Sequence, residues 1–405
     1  MQTNISKQFE NNPAVQEAEE ILRSCVHCGF CTATCPTYQI LGDELDSPRG
    51  RIYLIKQLLE GSEVTEKTRT HLDRCLTCRS CETTCPSGVR YGRLVEVGRE
   101  VIEKKVPRNF SERLQRSLIR KIVPYPGRFS ILLKMAQLSK PFLPGSLRAK
   151  LPQKGLSRAV KVTSQKRKML VLDGCIQSVI TPATNQAAMR VLEKLGIELQ
   201  VAPKAGCCGA VSHHLSEQDE GLDFMRRNID AWWPYIESEC EAVISTASGC
   251  GAVVKDYGDL LKLDSQYAEK AKRVSELAKD FGEILAKEKL PEIDKQKVSR
   301  KVAFHSPCTL QHGQKLAGLV ENILTGIGFT LTYVEDSHLC CGSAGTYSIL
   351  QPELSQQLLE NKLSSLQKEQ PDVIATANIG CQMHMASKAG VPVKHWIELL
   401  DEVLS

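Results

Sequence analysis

The feature that most constrains this chain is a run of four cysteines that occurs twice near its N-terminus. Both copies read C-x2-C-x2-C-x3-C-P; the first holds Cys25, Cys28, Cys31 and Cys35, and the second holds Cys75, Cys78, Cys81 and Cys85. This run is typical of bacterial proteins that bind [4Fe–4S] clusters, in which the fourth cysteine of one run ligates the other cluster. We therefore expect two clusters, one held by Cys25, Cys28, Cys31 and Cys85 and the other by Cys75, Cys78, Cys81 and Cys35.

Structural zinc is the alternative for these cysteines, because zinc sites are also built from C-x2-C pairs. Zinc needs four ligands per site, and it gives no reason for a third C-x2-C step or for the proline after the fourth cysteine. The chain has 17 cysteines in 405 residues, which disulfides would explain only in a secreted protein. Its polar start, MQTNISKQFENNPAVQEAEE, holds no apolar signal core. We therefore predict metal-bound thiolates in a reducing, cytoplasmic compartment.

Residues 1–110 are predicted to form a helical ferredoxin domain, since they show helical periodicity and no convincing strand. A turn at 47–51 leads into a predicted helix that Gly61 ends. A second helix is predicted over 94–105, before Pro107. The apolar residues on one face of the first helix are Ile52, Leu54, Ile55, Leu58 and Leu59.

Residues 111–165 are predicted to be a basic connector that prolines interrupt. Residues 111–168 hold fifteen Lys or Arg and one acid, Glu112. Two interpretations stay open: the segment is attracted to anionic lipid, or it is a linker that wraps around the protein. A nucleic-acid partner is not expected, because no recognition motif accompanies the charge. No apolar run approaches the roughly 20 residues that span a bilayer, so any membrane contact is predicted to be peripheral.

A second internal repeat occupies residues 166–405. Its first copy contains Cys175, Cys207, Cys208 and Cys250, and its second copy contains Cys308, Cys340, Cys341 and Cys381. In both copies 31 residues lie between the lone cysteine and the cysteine pair, and a glycine follows the pair. The offset between copies is 133 residues for the first three cysteines and 131 for the last. We therefore predict two tandem cysteine-rich domains, 166–290 and 291–405.

Predicted strands and helices alternate within each copy, which is typical of a parallel α/β sheet. The strands are predicted over 169–172, 197–201, 242–246, 302–304, 329–334 and 373–377. The helices between them are predicted over 182–195, 217–232, 314–324 and 353–366. All the repeated cysteines then follow strand ends, where ligands gather in open α/β sheets. The four cysteines of each copy can therefore converge.

Four converging thiolates suit a soft metal, and we favour a further iron–sulfur cluster in each copy. Adjacent cysteines splay apart, which suits a centre of several irons better than one tetrahedral zinc. Redox-active thiols, structural zinc and simple packing stay open as alternatives. Cys240 has no counterpart in the second copy and is predicted to be a small buried residue. For His213, His214 and His384 we predict surface or core roles rather than metal ligation.

The chain resembles the glycolate oxidase iron–sulfur subunits over nearly its whole length. The resemblance rests on CVHCGFCTATCPT, CLTCRSCETTCPS, AGCCGAVSHHL, DSHLCCGSAGTY and TANIGCQ. The same combination of motifs occurs in a broader group that includes a subunit of the anaerobic glycerol-3-phosphate dehydrogenase and subunits of heterodisulfide reductase. Some members end the CCG motif in C-x2-C, but here Val253 and His384 stand at that spacing after Cys250 and Cys381. This departure argues against a five-cysteine cluster.

The resemblance implies an electron-transfer subunit of a glycolate oxidase complex. Flavin-containing partner subunits, which would hold the FAD, oxidise glycolate to glyoxylate, and this chain passes the electrons toward a membrane acceptor, expected to be quinone. The implied location is the cytoplasmic face of the bacterial inner membrane. The chain has neither a GxGxxG after a strand nor a P-loop, so substrate oxidation is expected in the partners. The alternatives are a subunit of another 2-hydroxy acid or glycerol-3-phosphate dehydrogenase, a thiol–disulfide reductase, and a non-catalytic cluster module.

Overall fold

Helices provide the regular structure of residues 1–139, and no strand occurs in that part of the chain. The structure is a computed structural model that describes residues 1–139, 165–291, 293 and 298–405. The helices of the N-terminal region are α1 (Pro13–Ser24), α2 (Pro36–Leu41), α3 (Pro48–Leu59), α4 (Glu66–Asp73), α5 (Ser80–Thr83), α6 (Tyr91–Lys105), α7 (Phe110–Ile122) and α8 (Pro126–Leu138). The helical ferredoxin architecture predicted from the sequence is therefore confirmed.

Capping and one apolar core explain the longer helices of the ferredoxin part. The side chain of Asn12 accepts a hydrogen bond from the Ala14 N–H at the start of α1, at 3.0 Å. Ser47 accepts one from the Gly50 N–H at the start of α3, also at 3.0 Å, and proline is the first residue of both helices. The predicted helix over 94–105 begins earlier, at Tyr91. The buried core that joins α1, α3, α4 and α6 includes Val15, Leu22, Ile55, Leu58, Leu72, Leu94 and Ile102.

Two parallel four-stranded sheets follow, one in each cysteine-rich repeat. The strands are β1 (Arg167–Val171), β2 (Ile197–Gln200), β3 (Val243–Ser245), β4 (Ala278–Asp280), β5 (Lys301–His305), β6 (Thr330–Leu331), β7 (Val373–Thr376) and β8 (Val393–His395). The first sheet has the order β2-β1-β3-β4 and the second has the order β6-β5-β7-β8. All pairings are parallel. The two repeats thus share one topology, as predicted.

The helices that connect these strands include the three predicted over 182–195, 217–232 and 353–366 and, among the described residues, nine that the sequence analysis did not predict. They span Gln177–Ile180, Pro182–Lys194, Ala210–His214, Gln218–Glu237, Ser248–Lys255, Tyr257–Leu260, Ala268–Leu277, Phe281–Leu285, Leu319–Gly326, Tyr347–Leu350, Pro352–Gln367, Ile379–Ala386 and Trp396–Leu404. The helix predicted over 314–324 is wrong in its first half, because Lys315 (φ 59°) and Gly318 (φ 78°) adopt left-handed backbone that ends a helix. The strand predicted over 329–334 is reduced to β6, and the outer strands β4 and β8 were not predicted.

One apolar core lies between the two sheets and joins the repeats. The rings of Phe281 and Trp396 meet edge to face at 5.8 Å, and Arg190 pairs with Asp401 at 3.0 Å. The core includes Val171, Leu192, Ile244, Phe304, Leu324, Ala375 and Leu400. The ends of β3 and β7 also meet, because the Ser248 N–H donates to the Ala377 carbonyl at 3.0 Å. This packing directs the strand ends of both repeats toward a common cavity.

The basic connector begins with α7 and α8, two helices that the sequence analysis did not predict. The Arg120 guanidinium binds Glu220 at 2.7 Å, and the ring of Tyr125 packs against Phe224 at 5.6 Å, so both helices are attached to the first repeat. Their exposed apolar side chains are Phe110, Leu114, Leu118, Ile131, Leu132, Met135 and Leu138. The predicted connector residues 140–164, with Pro141, Pro144 and Pro152, lie outside the described residues. Among the described helices, none has the length and hydropathy to span a membrane.

Candidate iron–sulfur centres

The cysteines predicted for the first cluster meet around one cavity. It is lined by Cys25, Cys28, Cys31 and Cys85, together with Cys81. His27 (φ 55°) and Gly29 (φ 86°) adopt left-handed backbone, which turns the chain tightly between the first three cysteines. The fourth cysteine arrives from the second run, so the structure brings together the crossed set that the spacing predicts.

A second pocket is lined by the remaining predicted ligands, which are Cys35, Cys75, Cys78 and Cys81. Thr77 (φ 53°) and Arg79 (φ 62°) repeat the left-handed backbone at the positions that match His27 and Gly29. The two runs therefore form the same loop twice, and each loop receives its fourth cysteine from the other run.

Arg51 supplies a buried positive charge next to the second pocket. Its guanidinium lies 4.0 Å from the Cys35 sulfur and binds the Asp46 carboxylate at 3.2 Å. Burial opposes the thiolate of Cys75, but the charges of Arg51 and Arg99 outweigh it and lower the pKa of this thiol. The Tyr91 hydroxyl also donates to the Cys75 sulfur, at 3.7 Å. These contacts favour the thiolate form of Cys75, which is the form that binds metal.

Cys78, Cys81 and Cys31 are crowded by other thiols. Burial raises the pKa of Cys78 and Cys81 well above the usual range, and neighbouring thiolates raise both further. In the first pocket, burial and the neighbouring Cys25 raise the pKa of Cys31 to about 11. Four closely spaced thiolates become stable when a metal centre supplies the positive charge. The donor sets therefore fit [4Fe–4S] clusters, and the individual ligand assignments stay predictions.

The four cysteines of the first repeat form a chain of thiol contacts. Cys175 contacts Cys207, Cys207 contacts Cys208, and Cys208 contacts Cys250. Hydrogen bonds from Cys175 and Cys208 lower the pKa of Cys207 well below its usual range. The same contacts raise the pKa of the two donors. The first repeat thus has four adjoining sulfurs, among which Cys207 is the one that its neighbours favour as a thiolate.

The second repeat has the same arrangement, and seven of the eight repeat cysteines line one cavity. The sulfurs of Cys308 and Cys340 are 3.9 Å apart, and Cys341 contacts both Cys340 and Cys381. The cavity has a volume of about 250 Å³. Its lining includes Cys175, Cys207, Cys208, Cys250, Cys308, Cys340 and Cys381, and also Cys75 of the ferredoxin part. The parallel topology therefore brings the predicted cysteines of each repeat together at the strand ends.

His305, at the end of β5, is a buried side chain beside these cysteines that the sequence analysis missed. One of its ring nitrogens lies within 4.8 Å of the sulfurs of Cys341 and Cys381. Burial and the nearby Lys362 charge hold the pKa of His305 well below its usual range, so the imidazole is neutral. The 133-residue offset places Leu172 at the equivalent position of the first repeat, and this comparison could have drawn attention to His305.

Lys362 is a second buried group that the sequence analysis missed. Its ammonium donates to the Asp336 carbonyl at 2.8 Å. Burial lowers the pKa of Lys362, while the nearby thiols of Cys341 and Cys340 act in the opposite direction. In the first repeat the helix that packs on the CCG glycine is offset by 134 residues, because the carbonyl that faces Gly209 is that of Gly221 and the one that faces Gly342 is that of Ser355. The equivalent position is therefore Asn228, a buried amide that donates to the Cys207 carbonyl at 2.8 Å. The second repeat thus has a cation where the first has a neutral amide.

The second repeat also contacts the second ferredoxin pocket directly. Cys78 is close enough to Cys308 and Cys340 for their charges to raise one another's pKa. Thr83 Oγ1 and His312 Nδ1 are 2.9 Å apart across this interface, and the Tyr347 hydroxyl donates to the Arg74 carbonyl at 3.1 Å. These contacts place one ferredoxin pocket beside the cysteines of the second repeat.

Comparisons with known proteins agree with this arrangement. A 4Fe-4S dicluster domain model matches residues 21–89, and a cysteine-rich domain model matches residues 169–255 and 302–386. The glycolate oxidase iron-sulfur subunit of Escherichia coli (strain K12) is 55% identical over 405 residues, which cover 100% of this chain and 99% of the relative. The chain belongs to the glycolate oxidase iron–sulfur subunit family.

More distant relatives extend over nearly all of this iron–sulfur subunit. The probable glycolate oxidase iron-sulfur subunit of Bacillus subtilis (strain 168) is 31% identical over 94% of this chain and 91% of its own length. A subunit of the fumarate reductase (CoM/CoB) of Methanothermobacter marburgensis is 25% identical over 95% of this chain and 73% of its own length. Similarity over nearly the whole of this chain therefore extends beyond the glycolate oxidase relatives.

His384, His213, His214 and Cys240 of the iron–sulfur subunit contact groups other than the cysteine sets, although His214 also lines the cavity that the repeats share. His384 Nε2 is 3.1 Å from the Ser355 hydroxyl. His213 and His214 lie beside Glu96 of α6, with ring nitrogens 3.9 and 3.6 Å from its carboxylate. Cys240 is buried and donates to the Ala242 carbonyl at 3.1 Å, in agreement with its predicted packing role.

Proposed function

We propose that this chain carries electrons from flavin-containing partner subunits, which oxidise glycolate to glyoxylate, to quinone in the membrane. The observation that carries the proposal is the collection of eight ferredoxin-type cysteines into two four-cysteine pockets, in a chain 55% identical to a glycolate oxidase iron-sulfur subunit. Within that family the chain is the electron-transfer component of an oxidoreductase complex. FAD is assigned to the partner subunits.

The proposed ligands of the two [4Fe–4S] clusters are the two crossed sets. Cys25, Cys28, Cys31 and Cys85 hold one cluster, and Cys75, Cys78, Cys81 and Cys35 hold the other. Further iron centres are assigned to the cysteine sets of the two repeats. When bound, the clusters supply one-electron redox chemistry, so a pair of electrons from a reduced flavin can be passed on singly.

The chain's own residues make the pockets suitable for this task. Arg51 and Arg99 stabilise the Cys75 thiolate, and the apolar cluster of Leu76, Cys308, Cys340 and Tyr347 joins the second pocket to the second repeat. A short separation favours electron passage between neighbouring centres. The centres of the second ferredoxin pocket and of the second repeat are therefore proposed to be consecutive electron-transfer sites.

Membrane contact is assigned to α7 and α8. Phe110, Leu114 and Leu118 recur every four residues on α7 and are exposed, so they form one apolar stripe. Arg113 and Lys121 lie on the same helix. An apolar stripe with basic neighbours suits the interface of an anionic bilayer. This supports a peripheral position at the cytoplasmic face of the inner membrane.

The complex purified anaerobically with its flavin subunits tests the glycolate assignment. Stepwise addition of glycolate should reduce the clusters, as EPR detects, and should reduce a soluble quinone. Reduction by another 2-hydroxy acid or by glycerol 3-phosphate, but not by glycolate, would reassign the substrate. Full-rate quinone reduction by flavin subunits that lack this chain would overturn the electron-carrier role.

Flotation with vesicles tests the membrane assignment. The full chain should bind phosphatidylglycerol vesicles and not neutral phosphatidylcholine vesicles, and the double variant Leu114→Ser/Leu118→Ser should lose most of this binding. Leu263→Ser is the matched control, because Leu263 is an exposed leucine of the first repeat. Equal binding by both variants would contradict the assignment to α7.

A second candidate for the repeats is thiol–disulfide chemistry, which the 3.9 Å separation of Cys308 and Cys340 favours. Iron and labile-sulfide analysis of Cys208→Ser and Cys341→Ser separates it from iron binding. Loss of iron in these variants supports the additional centres. Unchanged iron together with loss of disulfide-reductase activity would favour the thiol enzyme.

A further inference from the structure

His305 is almost fully buried, yet it has no hydrogen-bond partner. Its exposed fraction is 2%, and neither Nδ1 nor Nε2 finds a partner among the described residues. Buried polar atoms in folded proteins are nearly always paired, and each exception requires an explanation such as a missing ion. The imidazole of His305 is therefore positioned to bind a group that the described residues do not supply.

The surroundings of His305 indicate which group this is. The sulfurs of Cys341 and Cys381 and a ring nitrogen of His305 all lie within 4.8 Å of one another, and all three residues are buried. Thiolate and imidazole are both good ligands for iron, and together they ligate the cluster of Rieske proteins. One unpaired nitrogen of His305 thus lies beside two cysteines of the second repeat.

Neighbouring side chains make His305 distinct from the other candidates. His384 lies in the same repeat but is already paired with Ser355, at 3.1 Å. In the first repeat the equivalent position is Leu172, which cannot bind metal. At this position the second repeat therefore has a ligand that the first repeat lacks.

We propose that His305 is a ligand of the iron centre in the second repeat, and that the first repeat binds its centre through cysteine alone. The inference rests on the proposed function, because it requires iron in the second repeat. The two centres of the repeats are then chemically different despite their shared fold. Their EPR signals should differ in nitrogen coupling.

Nitrogen hyperfine spectroscopy on the full chain, copurified anaerobically with its flavin partners and labelled with ¹⁵N-histidine, tests the proposal. The reduced wild-type protein should show ¹⁵N coupling to one cluster signal, and His305→Leu should lose that coupling. His384→Gln is the matched control and should retain it. The signals of the two ferredoxin clusters should stay unchanged in His305→Leu, which shows that the variant is folded.

The outcomes separate this inference from the proposed function. If Cys341→Ser loses iron but the wild-type protein shows no histidine coupling, the iron centre is supported and the role of His305 is overturned. If Cys341→Ser retains all its iron, the second repeat holds no iron centre. That result would overturn both the iron centre proposed for this repeat and the ligand role of His305. Zinc bound by one nitrogen and two sulfur ligands in X-ray absorption spectra would also overturn the iron assignment.

Discussion

The glycine after each cysteine pair shows how packing fixes a motif at the scale of single residues. Gly209 and Gly342 have left-handed backbone, with φ of 93° and 87°. A Cβ on Gly209 would lie 2.6 Å from the Gly221 carbonyl oxygen, and one on Gly342 would lie 2.5 Å from that of Ser355. The left-handed backbone and the close carbonyl oxygen both exclude a side chain at these two positions. The CCG motif thus combines two sulfur donors with a turn that only glycine can make.

Removal of single cysteines should distinguish crossed from uncrossed ligation. Cys85→Ala and Cys28→Ala should each lose the same cluster, and the EPR spectrum of the remaining cluster should be the same in both variants, because both residues line the first pocket. Cys240→Ala is the control and should keep full iron content, since this thiol lies apart from the cysteine sets. A Cys85→Ala spectrum that matches Cys78→Ala instead would contradict the crossed assignment.

Arg51 should contribute far more to stability than its neighbour Arg49. Asp46 is fully buried and binds Arg51, Arg74 and His71, at 3.2, 2.9 and 3.1 Å. Arg51→Met leaves part of this buried charge uncompensated, so we expect a loss of roughly 3–5 kcal/mol and a large fall in Tm in anaerobic calorimetry. Arg49→Met removes only an exposed ion pair and should cost less than about 1 kcal/mol. Similar Tm values for the two variants would be the contrary result.

At the scale of elements, close packing of α3 on α6 decides how the ferredoxin part is built. Gly98 of α6 allows this approach, because a Cβ there would lie 2.7 Å from Ile55 Cγ1. Periodicity identifies such helices but does not reveal where two of them touch. Local pattern is also too weak to define the short strand β6 and the unpredicted strands β4 and β8, which have three or fewer residues each.

Glycine-to-alanine changes in two helices should have opposite effects. Gly98→Ala overpacks the contact with Ile55 and should destabilise the protein by about 1–3 kcal/mol. Gly127→Ala in α8 meets no atom within 4 Å and should stabilise it by roughly 0.4–1 kcal/mol. Tm of the iron-loaded proteins measures both effects. A stabilising Gly98→Ala would mean that α3 and α6 are farther apart than described.

At the scale of the whole molecule, the two repeats share one core and one cavity but surround their cysteines differently. The second repeat has His305 and Lys362 where the first has Leu172 and Asn228. A buried cation stabilises the reduced, more negative state of a nearby centre. Electrons are therefore expected to settle on the second repeat, which also adjoins Cys78 of the ferredoxin part.

Neutralising Lys362 should lower the midpoint potential of the second-repeat centre. Lys362→Met removes a charge that is 2% exposed, and the expected shift is about 100 mV toward negative values, the size of a partly screened unit charge nearby. Redox titration followed by EPR measures the shift. Lys368→Met is the control, since Lys368 is exposed and pairs with Glu335. Equal potentials in the two variants would show that Lys362 does not act on the centre.

The sequence by itself determined the cysteine sets, the two repeats and the parallel α/β class, because ligand spacing and alternating periodicity are local patterns. It also indicated the crossed grouping, since the run C-x2-C-x2-C-x3-C-P already implies exchange of the fourth cysteine. Only the tertiary structure placed His305, Lys362 and Arg51 beside the thiols. His305 stands only three residues before Cys308, but the two cysteines that it meets, Cys341 and Cys381, come from later parts of the chain. The roles of all three residues depend on burial, which no local spacing encodes.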